Sequence, residues 1–233
     1  GKSNILIGRN ATKIFVAAEG MEKFFPADKI IITGNPVRKN IVESNISRQD
    51  ALQYFGLQNN KKTILAVGGS LGAKSINEVL ASKLHELESL GLQLIWQTGK
   101  STAAGYIDRG KNYSSVWVNE FIQDMDKAYA AADAVISRSG ALTVSELCVV
   151  KKAVVFVPYP YAAEDHQTVN AQYLVNRDAA LMIKDEEAPA RLFSAAVTLA
   201  KDEELQEKLQ KNIAAFAVTD ADARVAEEIY KYI

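Results

Sequence analysis

The sequence has little of several features that mark specialised classes of protein. It contains one cysteine and two histidines among 233 residues, which excludes an internal disulfide and disfavours a histidine-rich metal centre. Basic and acidic residues nearly balance at 27 and 28, so no global charge marks a nucleic-acid binder. No apolar run reaches the roughly 20 residues that span a bilayer. We therefore expect a protein that does not cross a membrane and that suits a reducing cytoplasm.

What is present is the composition of an ordinary globular protein. Hydrophobic residues make up 48% of the chain and charged residues 24%, which is enough to bury a sizeable core and argues against disorder. We expect Cys148 to lie in that core. The chain opens on Gly1 and then reads like the middle of a helix, so we expect it to be a piece of a longer protein.

From about residue 37 onward, short β-branched runs alternate with longer helical stretches. This pattern predicts repeated βα units and a Rossmann-like, doubly wound α/β fold with a parallel sheet. The predicted strands cover residues 63–67, 92–97, 115–118, 134–136, 153–157 and 180–183. The predicted helices begin near Gly72, Ser101, Met125, Leu142, His166 and Pro189, and two more cover residues 203–214 and 221–230.

The segment before residue 37 predicts a second sheet. Residues 13–17 and 30–33 resemble strands, with a short helix at about 21–25 between them. The run Thr33-Gly34-Asn35-Pro36 favours a turn, because glycine and Asn-Pro interrupt regular structure. We therefore predict that residues 1–36 end one domain, that 37–216 form the main domain, and that 217–233 form a helix packing back toward the first.

The first candidate site is the loop at residues 68–73, with the sequence GGSLGA. It follows an apolar strand and opens a helix, a setting in which bare backbone N–H groups can approach phosphate. Its spacing differs from the dinucleotide fingerprint, and the next strand ends in Gln97 where NAD-binding folds carry a carboxylate. An NAD-dependent oxidoreductase is therefore disfavoured. A tight turn without a ligand stays an open alternative.

The second candidate site, residues 137–146, runs from a strand end into a helix. Ser139 is predicted to be the N-cap and Gly140 leaves the backbone uncovered, so the N–H groups of residues 141–143 would face a diphosphate. Glu146 lies on the same side of that helix, where it would accept both hydroxyls of a ribose. In the plainer alternative, Ser139 is only a cap and Glu146 is a solvated helix residue.

The third candidate site, residues 158–167, is a polar-ended loop after another strand, where ligands of open α/β sheets collect. Asp165 is predicted to cap the next helix, which puts His166 and Gln167 in its first turn, within reach of sugar hydroxyls. In the alternative, His166 only stabilises the loop. No metal site is predicted, because His85 belongs to a different, exposed helix. The three loops together supply contacts for phosphate, ribose and hexose, the parts of a nucleotide sugar.

These residues resemble the MurG family of glycosyltransferases, which add N-acetylglucosamine from UDP-N-acetylglucosamine to lipid I and so form lipid II of the bacterial cell wall. The likeness runs through nearly the whole chain and includes EGM at 19–21, FFP at 24–26, TGNPVR at 33–38, GGSLGA at 68–73, FI and DM at 121–125, residues 138–146, DHQ at 165–167 and NA at 170–171. The resemblance implies a GT-B architecture of two Rossmann-like domains, of which this chain carries the C-terminal domain and the tail of the N-terminal one.

The resemblance also implies which residues bind the donor. Ile122 would meet the uracil through its backbone, and Glu146 would hold the ribose. His166 and Gln167 would contact the sugar, although other members carry Gln in place of His166. The full implied set is Arg38, Gly69, Ser70, Phe121, Ile122, Met125, Ala141, Leu142, Thr143, Glu146, His166 and Gln167.

No catalytic residue is predicted, since the family's proposed general base is a histidine in the N-terminal domain. The implied reaction is an inverting transfer that needs no cofactor, and no Asp-x-Asp pair is placed to hold a metal. The implied partners are UDP-N-acetylglucosamine, lipid I and, peripherally, the inner face of the bacterial cell membrane, with no nucleic acid. The alternatives are another GT-B enzyme acting on UDP-sugars, such as a UDP-N-acetylglucosamine epimerase, and a module that binds the donor without turnover.

Overall fold

A computed structural model describes residues 2–233. Its strands are β1 (Ile14–Val16), β2 (Ile30–Ile32), β3 (Thr63–Val67), β4 (Gln93–Gln97), β5 (Val116–Asn119), β6 (Ala134–Ser137), β7 (Val154–Phe156) and β8 (Leu181–Met182). Its helices are α1 (Lys2–Gly8), α2 (Lys39–Val42), α3 (Arg48–Tyr54), α4 (Lys74–Ser89), α5 (Ala103–Gly110), α6 (Met125–Ala131), α7 (Ala141–Val149), α8 (His166–Val175), α9 (Ala188–Lys201), α10 (Glu203–Ile213) and α11 (Ala221–Tyr230).

The last six strands form one parallel sheet in the spatial order β5-β4-β3-β6-β7-β8. Leu65 on β3 pairs with Ile95 on β4 and with Val135 on β6. Counted from β3, this order is 3-2-1-4-5-6, which confirms the predicted doubly wound sheet. The order reverses between β3 and β6, so the connections that leave these two strands diverge and open a crevice at their carboxyl ends.

Both faces of the sheet are covered by helices, which explains why its strands read as continuous apolar runs. Along β3, Ile64 and Ala66 join a core with α4 and α9, whereas Leu65 joins a second core with α3, α6, α7 and α8. Cys148 is buried in the second core, as expected, and burial raises the pKa of its thiol to about 12.

Strands β1 and β2 form a separate parallel pair, in which Ile14 lies opposite Ile30. The chain then turns at Gly34, whose φ of 84° is left-handed and whose α-carbon lies so close to Val218 that an added Cβ would be 2.8 Å from its side chain. The turn between the two sheets is where the sequence predicts it. The domain limits 1–36, 37–216 and 217–233 stay predictions.

All eight predicted strands are present, with ends that differ by no more than one residue. The expected helix near residues 21–25 is instead a short 3-10 helix, Met21–Lys23. Helices α2 and α3 were not predicted. A signal for α3 is present, because the Ser47 hydroxyl accepts from the backbone N–H of Asp50 at 3.1 Å, the first half of a capping box. No helix within residues 2–233 is long and apolar enough to span a bilayer.

Candidate functional site

The structure brings the three predicted loops together at one edge of the sheet. They follow β3, β6 and β7, which are neighbours, and the first two flank the point where the strand order reverses. The last two loops are directly linked, since the Gln167 side-chain oxygen accepts from the backbone N–H of Ser139 at 3.3 Å and from that of Tyr159 at 3.0 Å. These links place the candidate residues at the crevice of a doubly wound sheet.

The first loop, residues 68–73, is shaped by main-chain sterics. Gly69 and Gly72 both have a φ of 85°, a conformation that glycine adopts without strain. A Cβ on Gly72 would lie 2.2 Å from the carbonyl oxygen of Thr98. The carbonyl of Ser70 accepts from the N–H of Lys100 at 3.1 Å, and no side chain caps α4, which the loop opens. The segment that follows β4, residues 98–101, therefore packs against this loop and supports it.

Gln97, at the end of β4, links this loop to the segment implied to meet the base. Its side-chain nitrogen donates to the carbonyl of Gly69 at 3.2 Å, and its side-chain oxygen accepts from the N–H of Ile122 at 3.0 Å. The Gln97 side chain is buried. Sequence reasoning used Gln97 only to argue against NAD and missed this link, because the pairing depends on where β5 ends in space.

The residues implied to lie near the base differ in exposure. Ile122 and Met125 are buried, whereas nearly half of Phe121 is exposed. Gln97 already accepts from the Ile122 N–H, and the Ile122 side chain is packed in the core, so both are occupied within the fold. Phe121 is thus the member of this group that presents an accessible aromatic surface.

The second loop leaves the start of α7 open. Gly140 is its N-cap and no side chain caps the helix, so the N–H groups of Ala141, Leu142 and Thr143 have no partner within the helix. The prediction that Ser139 is the N-cap is wrong, because the helix begins one residue later and the buried Ser139 hydroxyl donates to the carbonyl of Gln167 at 2.8 Å. The helix start keeps the positive end of its dipole free for an anion.

Glu146 lies one and a half turns into α7 with a partner on each carboxylate oxygen. Arg38 donates to Oε1 from Nε at 3.3 Å and from a terminal guanidinium nitrogen at 3.2 Å. The hydroxyl of Tyr129, on α6, donates to Oε2 at 2.9 Å. Glu146 is thus not the freely solvated residue of the plainer alternative, since its side chain is only 15% exposed. Tyr129 was missed by sequence reasoning.

The third loop turns sharply before α8. Glu164 and Asp165 both adopt left-handed φ values, 57° and 51°, which are costly for residues other than glycine. Asp165 occupies the N-cap position, but the prediction that it caps the helix is wrong, because its carboxylate accepts from the Thr168 hydroxyl at 2.7 Å instead. His166 is exposed, and its Nδ1 lies 2.7 Å from the carbonyl oxygen of Ala163.

Arg138 connects the second and third loops to helix α4. Its guanidinium donates to the carbonyls of Val157 and Pro158 at 2.9 and 3.0 Å and pairs with Asp185. It also lies 3.3 Å from the hydroxyl of Ser75 on α4. Beside this pair is an open cavity of about 450 Å³, with Tyr159 and the start of α4 in its lining. Arg138 was quoted in the motif but given no role, since its partners come from three separate segments.

A metal centre was not predicted. Among residues 2–233, no group of three or more histidine, cysteine or acidic side chains is placed to hold a metal ion. His85 lies on α4 and is exposed, as the sequence predicts. The polar groups at the crevice include backbone amides, hydroxyls and side-chain amides, together with the ion pairs Arg38–Glu146 and Arg138–Asp185.

The sheet order and the uncapped helix start at its switch point define a Rossmann-like domain with a crevice suited to a phosphorylated ligand. Residues 63–225 match the glycosyltransferase family 28 C-terminal domain. The chain belongs to this family.

Individual relatives agree with this assignment. The chain is 48% identical, over its whole length, to 64% of a protein from Parabacteroides distasonis named UDP-N-acetylglucosamine--N-acetylmuramyl-(pentapeptide) pyrophosphoryl-undecaprenol N-acetylglucosamine transferase. It superposes on crystalline MurG from Acinetobacter baumannii with a TM-score of 0.73 and 31% identity, over 99% of this chain and 63% of that one. The chain therefore spans slightly less than two thirds of these relatives.

A third similarity extends no further than the fold. A putative UDP-N-acetylglucosamine 2-epimerase from Listeria monocytogenes superposes with a TM-score of 0.69 at 14% identity, over 97% of this chain and 61% of that one. At that identity the similarity indicates a shared GT-B architecture and says nothing about activity. The epimerase alternative therefore gains no specific support from it.

Proposed function

We propose that this chain binds UDP-N-acetylglucosamine as the donor-binding part of an inverting transferase that converts lipid I into lipid II. The observation that carries the proposal is the open start of α7, where three amides face the crevice one and a half turns before Glu146. The 48% identity to a transferase named for this reaction supports the choice of donor and acceptor.

Each part of the donor has a matching group at the crevice. The amides of Ala141 to Thr143 face the diphosphate, with Gly69 and Ser70 on the opposite loop. Glu146 accepts the ribose hydroxyls. The uracil lies against the backbone of Ile122, near Phe121, Met125 and Arg38, and the hexose meets His166 and Gln167. Because Gln167 already accepts two backbone N–H groups with its oxygen, its contribution to the sugar comes from its side-chain nitrogen.

The chemistry assigned to these residues is stabilisation of the leaving group. In an inverting displacement, the acceptor hydroxyl attacks the anomeric carbon while the bond to UDP breaks, so negative charge grows on the diphosphate. Oriented amides and a helix dipole stabilise that charge without reorganising. No general base is assigned within this chain, and no cofactor is required by the step.

The proposed partners follow from the same assignment. The donor is UDP-N-acetylglucosamine, the acceptor is lipid I, and the site of action is the cytoplasmic face of the bacterial cell membrane, with peripheral attachment. Support for the acceptor comes from the name of the Parabacteroides relative.

Calorimetric titration of UDP-N-acetylglucosamine into the wild type and Glu146→Ala tests the proposal. We expect the wild type to bind, and the substitution to weaken binding by roughly 1–3 kcal/mol, because the ribose hydroxyls lose their acceptor in a partly buried site. Glu207→Ala, an exposed glutamate on α10, is the matched control and should leave affinity unchanged.

Two outcomes would contradict the proposal. Unchanged affinity of Glu146→Ala would remove Glu146 from the site. A thermal-shift comparison of UDP-N-acetylglucosamine, UDP-glucose and TDP-sugars addresses the donor itself, and a preference for a donor without uridine would exclude the proposed substrate.

A further inference from the structure

The two partners of Glu146 differ in their freedom to move. Tyr129 is 2% exposed and belongs to the core beneath α6, and its hydroxyl donates to Oε2 at 2.9 Å. The Arg38 side chain is 49% exposed, and its two contacts to Oε1 are 3.2 and 3.3 Å long. One carboxylate oxygen is therefore held from inside the protein, whereas the other is covered by a side chain that water reaches.

A buried tyrosine hydroxyl needs a partner, because an unpaired polar group in the core destabilises the fold. Glu146 Oε2 is the partner that the hydroxyl of Tyr129 finds. Burial, followed by the nearby charge of Glu146, raises the pKa of Tyr129 well above its ordinary value, so the phenol stays a proton donor. The Tyr129 hydroxyl therefore keeps the proton that it donates to Glu146 over the ordinary pH range.

This contact restricts the carboxylate of Glu146. A free glutamate side chain rotates about three bonds, and fixing those rotors when a ligand binds costs free energy. The phenol fixes Oε2 toward α6 before any ligand arrives, while Oε1 and the remaining lone pairs stay on the crevice side with Arg38. The side chain is therefore preorganised for acceptance of hydrogen bonds.

We propose that Tyr129 is a positioning residue that holds the Glu146 carboxylate in place for the ribose hydroxyls of the donor. The proposal rests on the proposed function. On binding, the ribose replaces the exposed guanidinium of Arg38 at Oε1, and the Tyr129 hydroxyl keeps its bond to Oε2. Arg38 is then free to turn toward the nucleotide.

A comparison of two ligands on Tyr129→Phe separates positioning from simple packing. Calorimetry would measure UDP and 2′,3′-dideoxy-UDP, which lacks both hydroxyls that Glu146 accepts. We expect Tyr129→Phe to bind UDP about fivefold more weakly, the effect of one hydrogen bond, and to bind the dideoxy compound as the wild type does. The ratio of the two affinities therefore falls about fivefold. A general loss of packing would weaken both ligands equally and leave the ratio unchanged.

Tyr106→Phe is the matched control. Tyr106 lies on α5 and packs on Trp96 in the core on the opposite face of the sheet. Its loss of a hydroxyl should change neither affinity. Circular dichroism and the thermal midpoint of each variant establish that the fraction folded is the same at the temperature of titration.

Each result separates this inference from the proposed function. If the wild type prefers UDP over the dideoxy compound and Tyr129→Phe keeps the full preference, Tyr129 has no positioning role and the proposed function stands. If the wild type binds both compounds equally, Glu146 does not hold the ribose and the inference fails with that assignment. If the wild type binds no UDP, the proposed function itself is overturned.

Discussion

The loops after β3 and β6 perform the same geometric task by different means. Both leave neighbouring parallel strands, and both open a helix that no side chain caps. The β3 loop takes its shape from two left-handed glycines, Gly69 and Gly72, of which Gly72 packs directly against the backbone at Thr98. The β6 loop has an N-cap glycine with an ordinary φ of −62°, and it is held by the side chains of Arg138, Ser139 and Asn170.

The two loops thus show two ways of keeping backbone amides free to bind a ligand. In the β3 loop, the absence of Cβ atoms allows close approach, so the tolerance for substitution is low. In the β6 loop, Gly140 has no heavy atom within 4 Å of an added Cβ, and the constraint comes from residues far along the chain. We therefore expect substitution of a glycine to destabilise the β3 loop most. In the β6 loop, we expect removal of a hydrogen-bonding side chain to destabilise it most.

The largest expected effect is that of Gly72→Ala in the β3 loop. The new Cβ would meet the Thr98 carbonyl at 2.2 Å, in a left-handed conformation. Strain and overpacking together should lower the free energy of unfolding by roughly 3–4 kcal/mol. Urea denaturation measures the change. Gly140→Ala, the control in the β6 loop, should lose less than about 1 kcal/mol, and equal losses at both sites would break the comparison.

A smaller loss is expected for Arg138→Met in the β6 loop. The substitution keeps much of the side-chain volume but removes the cation that pairs with Asp185, which keeps the Ser75 hydroxyl as a donor. It also leaves the carbonyls of Val157 and Pro158 without the guanidinium that donates to them. Because the Asp185 side chain is partly exposed, we expect about 2–3 kcal/mol rather than the larger cost of a fully buried pair. Denaturation of Arg191→Met provides the control.

Arg191 makes a comparable ion pair with Glu187 at 2.9 Å, but on the surface of α9. Its removal should change the free energy of unfolding by less than about 1 kcal/mol. A similar loss in the two arginine variants would mean that the Arg138 network does not hold the loops together.

The smallest expected effect is that of Gln97→Met, which removes the link between the β3 loop and Ile122. The substitution leaves the Gly69 carbonyl and the buried Ile122 N–H without their side-chain partners. We expect a loss of about 1–2 kcal/mol in the free energy of unfolding. Gln53→Met, at an exposed position on α3, should stay within about 0.5 kcal/mol. A neutral Gln97→Met would show that the β3 loop stands without this link.

The fold was largely predictable because the strands of a parallel sheet are buried on both faces. Continuous apolar runs such as residues 63–67 differ clearly from amphipathic helices, and all eight strands were located. The short helices α2 and α3 were missed, since neither is long enough to repeat the 3.6-residue hydrophobic pattern that reveals a helix. The length of α2, four residues, leaves almost no pattern to detect.

The candidate site was predicted in part. The strand-to-helix loops were found because glycine-rich sequence after a strand has a local meaning, and the structure places all three at one edge. Ser139 and Asp165 were assigned cap roles from their residue types, and both make other hydrogen bonds instead. A competing partner decided each case. For Ser139 it is the carbonyl of Gln167, 28 positions away, and for Asp165 it is the hydroxyl of Thr168, only three positions away.

The sequence alone determined the α/β class, the strand positions and the loops that hold the candidate residues. These features depend on the local spacing of hydrophobic residues and on the positions of glycines. Only the tertiary structure decided that Tyr129 and Arg38 share the carboxylate of Glu146, and that Gln97 joins two loops. These contacts connect residues 17 to 108 positions apart. Side chains so far apart in the chain meet through the order of the strands, and no pattern within one segment records that order.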